Sequence, residues 1–296
     1  MKQTKISIVG SGSVGCTIAY TLILKDLVKE ICLIDIDKKR CSGEVADLQD
    51  AQYFSKFSKI KSGEFKDLES SDIIIISAGA RQKPGQSRAE LIDVNRGVIK
   101  SIFDQAKNIK QDTIIIMVTN PVDILTCYVQ TLVKLPKNQI IGSSTLLDSI
   151  RLSTLIAEKL NLDINAIKTW VVGEHGDSQV ALYSATVVSG EPVSKFMSLQ
   201  DFNNFAQKAK NKAYEIIDCK GFTCYGVASC VTALCESIIF DHKNIFPVSC
   251  YSKEYDICMG LPVVIGSSGI EKYVDLDLSL EEKERLNSSA QVLKKI

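Results

Sequence analysis

Short apolar runs punctuate the first half of the chain, at residues 6–9, 31–34, 73–76, 114–118 and 139–142. Three of them are apolar almost without a break, as expected of strands covered on both faces. Between the runs lie stretches with the three-to-four-residue spacing of an amphipathic helix, clearest over 14–24 and 91–109. Strand alternating with helix predicts a parallel, doubly wound sheet. Past residue 144 the pattern changes. A helix is predicted over 146–160, strands over 169–172 and 179–188, helices near 201–218 and 224–239, and a strand pair across 245–265. A charged amphipathic helix over 280–296 follows. The expected fold class is therefore α/β, with a doubly wound parallel-sheet domain over 1–143 and an α+β domain over 144–296.

Composition narrows the partners. Of 296 residues, 45% are apolar and 24% charged, the balance of an ordinary globular protein. Lys plus Arg number 35 and Asp plus Glu number 35, so there is no basic footprint for nucleic acid or for a membrane surface. No segment approaches the ~20 apolar residues of a membrane-spanning helix, and no signal peptide is expected ahead of the strand beginning at Lys5. Ten cysteines occur without a Cys-x-x-Cys pair, and Cys224, Cys230 and Cys235 fall on apolar helix faces, so buried free thiols and a cytoplasmic location are expected. No metal site is expected.

The first strand runs straight into Gly10-Ser11-Gly12-Ser13-Val14-Gly15, which opens a helix. Glycines at these positions allow a tight turn, a close approach of backbone to a pyrophosphate, and close packing of helix on strand. The phosphates then meet the free N–H groups of the helix N-terminus. The second strand ends in Asp35, twenty residues after Gly15, where a carboxylate can accept the ribose hydroxyls. These features predict a Rossmann domain that binds NAD through Gly10, Gly12, Ser13, Val14, Gly15 and Asp35. An acid at 35 repels the 2′-phosphate of NADP. Gly15-Cys16-Thr17 lacks the lysine of a P-loop.

The chemistry is carried by Gly173-Glu174-His175-Gly176-Asp177-Ser178, at the end of an apolar strand. Imidazole is the side chain best suited to exchange a proton near neutrality. Taken alone, this histidine fits a turn satisfied by its neighbours equally well. The hexapeptide resembles the active-site motif of the lactate/malate dehydrogenase family, and four further segments do likewise. They are Asp148-Ser149-Ile150-Arg151, Val118-Thr119-Asn120-Pro121-Val122-Asp123, the stretch Gly79-Ala80-Arg81-Gln82-Lys83-Pro84-Gly85-Gln86-Ser87-Arg88, and Lys220-Gly221-Phe222-Thr223. The resemblance runs in order from Lys5 to the C-terminus.

It implies an NAD-dependent oxidoreductase acting on a small 2-oxo or 2-hydroxy acid, with 144–296 as its substrate domain. By the same resemblance His175 is the acid/base and Asp148 accepts its other ring N–H. Arg151 grips the substrate carboxylate through two parallel hydrogen bonds. Arg88, on a loop closing over the site, polarises the reacting carbonyl. Asn120 lies near the substrate oxygen and nicotinamide, and Gly79, Ala80 and Arg81 lie beside the cofactor. Gln82 and Thr223 bound the far end of the substrate.

An arginine at the Gln82 position marks the family members that take a second carboxylate. A neutral Gln82 and a small Thr223 favour pyruvate over oxaloacetate, with the malate reading as the alternative. A catalytically silent NADH-binding redox sensor is the alternative of another class, and joint retention of Arg88, Asp148, Arg151 and His175 argues against it. A homotetramer without arm exchange is expected. The positions where bacterial relatives hold fructose 1,6-bisphosphate are Ser153 and Lys168, and these predict no substantial activation.

Overall fold

A computed structural model describes residues 4–80 and 88–296, with only the backbone at Arg88. The first half runs β1 (Lys5–Val9), α1 (Ser13–Lys25), β2 (Glu30–Ile34), α2 (Lys38–Ala51), β3 (Lys59–Ser62), β4 (Ile73–Ile76), α3 (Arg88–Gln105), β5 (Ile114–Met117), α4 (Val122–Leu132) and β6 (Ile140–Gly142). The second half follows with α5 (Leu146–Leu160), β7 (Ile167–Lys168), β8 (Val171–Val172), β9 (Val180–Ala181), β10 (Val187–Val188), β11 (Glu191–Pro192), α6 (Leu199–Lys220), α7 (Tyr225–Ile239), β12 (Asn244–Ser252), β13 (Ile257–Gly266), β14 (Gly269–Tyr273) and α8 (Leu280–Lys294).

Strands β3-β2-β1-β4-β5-β6 lie side by side and parallel, and the order reverses between β1 and β4. Such a reversal leaves a crevice at the carboxyl ends of the strands, where ligands bind in open α/β sheets. Unbroken apolar strands follow from burial on both faces. In β4, Ile73 and Ile75 pack into a core with Ile18 and Leu22 of α1, while Ile74 and Ile76 enter a separate core with Ile99 and Phe103 of α3. Every second residue serves the opposite layer. Edge strand β3 escaped sequence reading because Lys-Ile-Lys-Ser buries only Ile60, and its lysines discourage pairing at the open edge.

The strand expected over 169–172 is shorter, β8 at Val171–Val172, β7 and β11 are additional, and two larger departures follow. The strand pair read across 245–265 is β12 and β13, joined by a third strand, β14, and all three continue the first sheet instead of forming a separate one. Ser249 of β12 pairs antiparallel with Gly142 of β6, giving a nine-stranded sheet. An apolar β6 left at an edge would expose unpaired backbone groups, and β12 covers them. The run 179–188 is not one strand. It breaks into β9 and β10 around a turn in which the Thr186 backbone N–H and side-chain Oγ1 donate to the carbonyls of Tyr183 and Leu182. All ten cysteines are free thiols, as expected, and seven of them are buried.

Helix α1 sits so close to the β1 exit that a Cβ on Gly15 would overlap the Gly10 carbonyl oxygen, whereas Gly43 in α2 faces open space. Gly15→Ala is expected to cost about 1–3 kcal/mol in urea unfolding, because the overlap is with backbone. Gly43→Ala should instead gain about 0.5–1 kcal/mol from helix propensity. Equal stability of the two variants would contradict the tight α1–β1 contact.

Candidate active site

The turn after β1 has the geometry of a dinucleotide site. Gly10 has φ +108°, and its Cβ position lies 2.7 Å from the Ala78 backbone nitrogen, so only glycine fits beside the β4 exit. Among the described residues nothing lies within 4 Å of the Cβ position of Gly12, so the loop is open to a ligand there. Gly12 caps α1 without a side-chain hydrogen bond, leaving the first-turn N–H groups at Ser13 and Val14 for a phosphate. Asp35 Oδ2 accepts from the Ser11 backbone N–H at 2.6 Å and from Ser11 Oγ at 2.9 Å, and Oδ1 accepts from the Asp37 N–H at 3.0 Å. Burial alone would raise this carboxyl, but those donors hold it below the usual range, so it stays ionised beside the loop. The residues present fit an NAD, whose nicotinamide ring supplies or takes the hydride when bound.

The chemical end is a cavity of about 730 Å³ whose lining includes Ala80, Asn120, Asp148, Arg151, His175 and Thr223. Asp148 and Arg151 share the inner face of α5 at i,i+3 spacing. Asp148 Oδ2 lies 2.7 Å from His175 Nδ1, and Oδ1 accepts from Arg151 Nη1 at 3.3 Å. The carboxylate and guanidinium are 3% and 8% exposed, while the imidazole, at 27%, looks into the cavity. Arg81 and Gln82 lie outside the described residues, as does the side chain of Arg88.

Two positioning residues escaped the sequence reading. Fully buried Asn95 of α3 accepts from the Ala80 N–H at 2.7 Å and donates to the Asn120 carbonyl at 2.8 Å, tying the β4 and β5 exits together. An asparagine on the apolar stripe of Ile92 and Ile99 was the available signal. Buried Asp123 of α4 accepts the His175 backbone N–H on Oδ2 at 2.7 Å and Ser144 Oγ on Oδ1 at 2.9 Å. Helix α6 also reaches the cavity through Lys210, Tyr214 and Ile217, and Lys210 Nζ donates to the Asp177 carbonyl at 2.7 Å.

Electrostatics set the protonation states. Burial alone pushes the His175 imidazole down, and Arg151 does the same. The Asp148 charge and hydrogen bond, with Asp123 behind, outweigh both and raise it above its ordinary 6.5. Asp148 moves the other way: burial raises it, and His175 and Arg151 together bring it below the usual range. The stability that His175 contributes is therefore complete below about pH 6.5 and is lost as pH climbs through the raised value. Burial pushes Asp123 up despite its donors. A protonated imidazole beside a guanidinium, both held by one carboxylate, can bind a small carboxylic acid and deliver a proton to an oxygen next to it.

A crevice of this kind defines a dinucleotide-binding α/β oxidoreductase. Residues 4–142 match the NAD binding domain of lactate/malate dehydrogenase and residues 145–296 match its alpha/beta C-terminal domain. The chain belongs to that family, and its cofactor is NAD. It is 40% identical to an L-lactate dehydrogenase of Clostridium botulinum (strain Loch Maree / Type A3), covering 98% of this chain and 95% of that protein. L-lactate dehydrogenase 1 of Clostridium acetobutylicum is 38% identical, covering 99% and 97%. The crystal structure of minor L-lactate dehydrogenase from Enterococcus mundtii, in its ligands-bound form, superposes with a TM-score of 0.96 at 33% identity. It covers 100% of this chain and 98% of that one.

Removing the Asp123 carboxylate leaves the His175 amide and Ser144 hydroxyl unpaired in a buried place. Asp123→Ala is expected to cost about 2–4 kcal/mol in urea unfolding, and Asp123→Asn, which still offers one acceptor, less than half of that. An alanine variant as stable as wild type would show that the amide finds another partner.

Proposed function

We propose that the protein is an L-lactate dehydrogenase, interconverting pyruvate plus NADH and L-lactate plus NAD. The observation carrying this reading is the sharing of Asp148 between His175 and Arg151 within one cavity. In pyruvate reduction, Arg151 binds the C1 carboxylate while the His175 ring N–H opposite Asp148 donates its proton to the C2 oxygen as hydride arrives at C2. In lactate oxidation His175 takes that proton back. Asp148 keeps the imidazole in the right tautomer and stabilises its charged form. Asn120 contributes a polar side chain at the cavity wall. The roles of Arg88 as carbonyl polariser, Arg81 near the cofactor and Gln82 as reader of the substrate methyl rest on the family resemblance.

The malate reading is the alternative, and neutral Gln82 with small Thr223 disfavours it. A silent NADH-binding sensor is disfavoured by the intact His175 constellation. We further place the domain boundary at 143/144 and propose a homotetramer working in the cytoplasm in glycolysis and fermentation. Among the described residues no helix is long and apolar enough to cross a membrane. Fructose 1,6-bisphosphate should not activate. Ser153 is buried against Thr169 Oγ1 at 2.9 Å, and Lys168 lies 5.2 Å from the Trp170 ring centre, so neither supplies an arginine-like fork. A several-fold fall in apparent KM for pyruvate on adding the bisphosphate would refute this.

The test is NADH oxidation with pyruvate and with oxaloacetate. An unpaired second carboxylate in a closed site costs on the order of 3–5 kcal/mol, so kcat/KM should favour pyruvate by about 10²–10³ or more. Gln82→Arg should raise the oxaloacetate value and lower the pyruvate value. His175→Asn should cut turnover by about 10²–10⁴ while leaving NADH binding intact. A wild type that prefers oxaloacetate would overturn the substrate assignment.

A further inference from the structure

The three residues that deliver the imidazole are each held by a different element. Gly173, at φ +87°, exchanges two backbone hydrogen bonds of 2.8 Å with Gly260 of β13. The Glu174 N–H donates to Ser289 Oγ of α8 at 2.8 Å, and the His175 N–H donates to Asp123 of α4. Ser289 is fully buried and also lies 3.0 Å from Ser178 Oγ, which in turn donates to Glu174 Oε2 at 2.5 Å. The hydroxyl thus touches both ends of the turn that surrounds His175. Its approach depends on the absence of a side chain at Gly173, whose Cβ would lie 2.6 Å from Ser289 Oγ.

We propose that Ser289, on the C-terminal helix, is a positioning residue that sets the His175 imidazole on Asp148. With the Ser289 acceptor gone, the backbone N–H of Glu174, a residue 1% exposed, loses the hydrogen bond that holds it here, and the turn rearranges to replace that bond. Movement of the turn lengthens the 2.7 Å contact between His175 and Asp148, because Asp148 is fixed separately on α5. Arg151 is on α5 as well, so substrate grip is untouched while proton delivery suffers. Helix α8 is otherwise a packing element, with Leu286, Ala290 and Leu293 in a core shared with Trp170 and Val172. Ser289 is the point where that packing reaches the chemistry.

The inference rests on the reading of His175 as proton carrier, and the experiment separates the two. The chain has two histidines, His175 and His242, so ring titrations can be followed individually by NMR. Among the described residues the charged groups around His175 are Asp148 and Arg151 from α5, Asp123 from α4, Glu174 and Asp177 on its own turn, and Lys210 from α6. None of them is altered by Ser289→Ala. The variant of the full chain is expected to lose about tenfold in kcat for pyruvate reduction, with KM and NADH affinity within about twofold of wild type. The His175 titration and the alkaline limb of the rate profile should both move to lower pH, while His242 stays put.

Ser289→Thr, which keeps the hydroxyl, should recover most of the loss. If Ser289→Ala does not fold, Ser289→Thr against Ser289→Val isolates the hydroxyl at constant shape, with the same titration and rate differences expected. Unchanged kcat and an unchanged His175 titration in the alanine variant would overturn the proposal. So would a loss of stability, NADH binding and rate together with His175 titrating as in wild type. A wild type inactive on both pyruvate and oxaloacetate would instead sink the proposed activity, and the titration would still decide the positioning claim.

Discussion

Asp148 gives one oxygen to His175 and the other to Arg151, and much of the molecule is arranged so that it can. A carboxylate 3% exposed is costly to bury without partners. The two cations offset that cost, and in exchange each is fixed in place and orientation. Neither cation can be moved without disturbing the other, because the same acid orders both. Its position on a helix at i,i+3 from Arg151 keeps the guanidinium in register, while His175 arrives from a distant turn.

That arrival is what the long sheet secures. β12 and β13 extend the parallel sheet past β6, and β13 carries Gly260, which pairs with Gly173 just before the histidine. The crevice at the β1/β4 reversal and the His175 turn are therefore anchored to one continuous hydrogen-bonded framework. Asn95 performs a matching function on the other side, joining the loops that follow β4 and β5. Displacements of an ångström between hydride and proton partners are expensive in rate, and a common framework limits them.

Much of this was legible in the sequence, for physical reasons that differ by element. Runs such as Ile73–Ile76 announce burial on both faces, and helix α5 was read over 146–160 with Asp148 and Arg151 on one face because its apolar period is strong. The glycine turn was legible because Gly10 answers a demand of φ and space, Gly15 one of close helix packing, and Gly12 keeps the loop open at the helix N-terminus. Sparse or composite elements were not. β3 buries one residue, and β9 and β10 are separated by a turn inside an apolar run that has no glycine or proline. Joining of β12 to β6 depends on pairing across more than a hundred residues, which periodicity does not encode. Asp123 and Ser289 matter through backbone amides brought to them from elsewhere in the chain, so neither carries a local mark. His175 needed the family resemblance to rise above an ordinary turn histidine.

The central claim is that Asp148 holds the His175 proton to a higher pH than an ordinary imidazole would keep it, ready for donation to a substrate oxygen. It is tested most directly by following the His175 ring by NMR across pH in the wild type and in Asp148→Asn. The wild-type ring should titrate above the ordinary 6.5, and the variant, in which burial and Arg151 are no longer opposed by that charge, at lower pH than the wild type. A wild-type His175 that titrates at or below 6.5, or a titration indifferent to the loss of the Asp148 charge, would contradict the account.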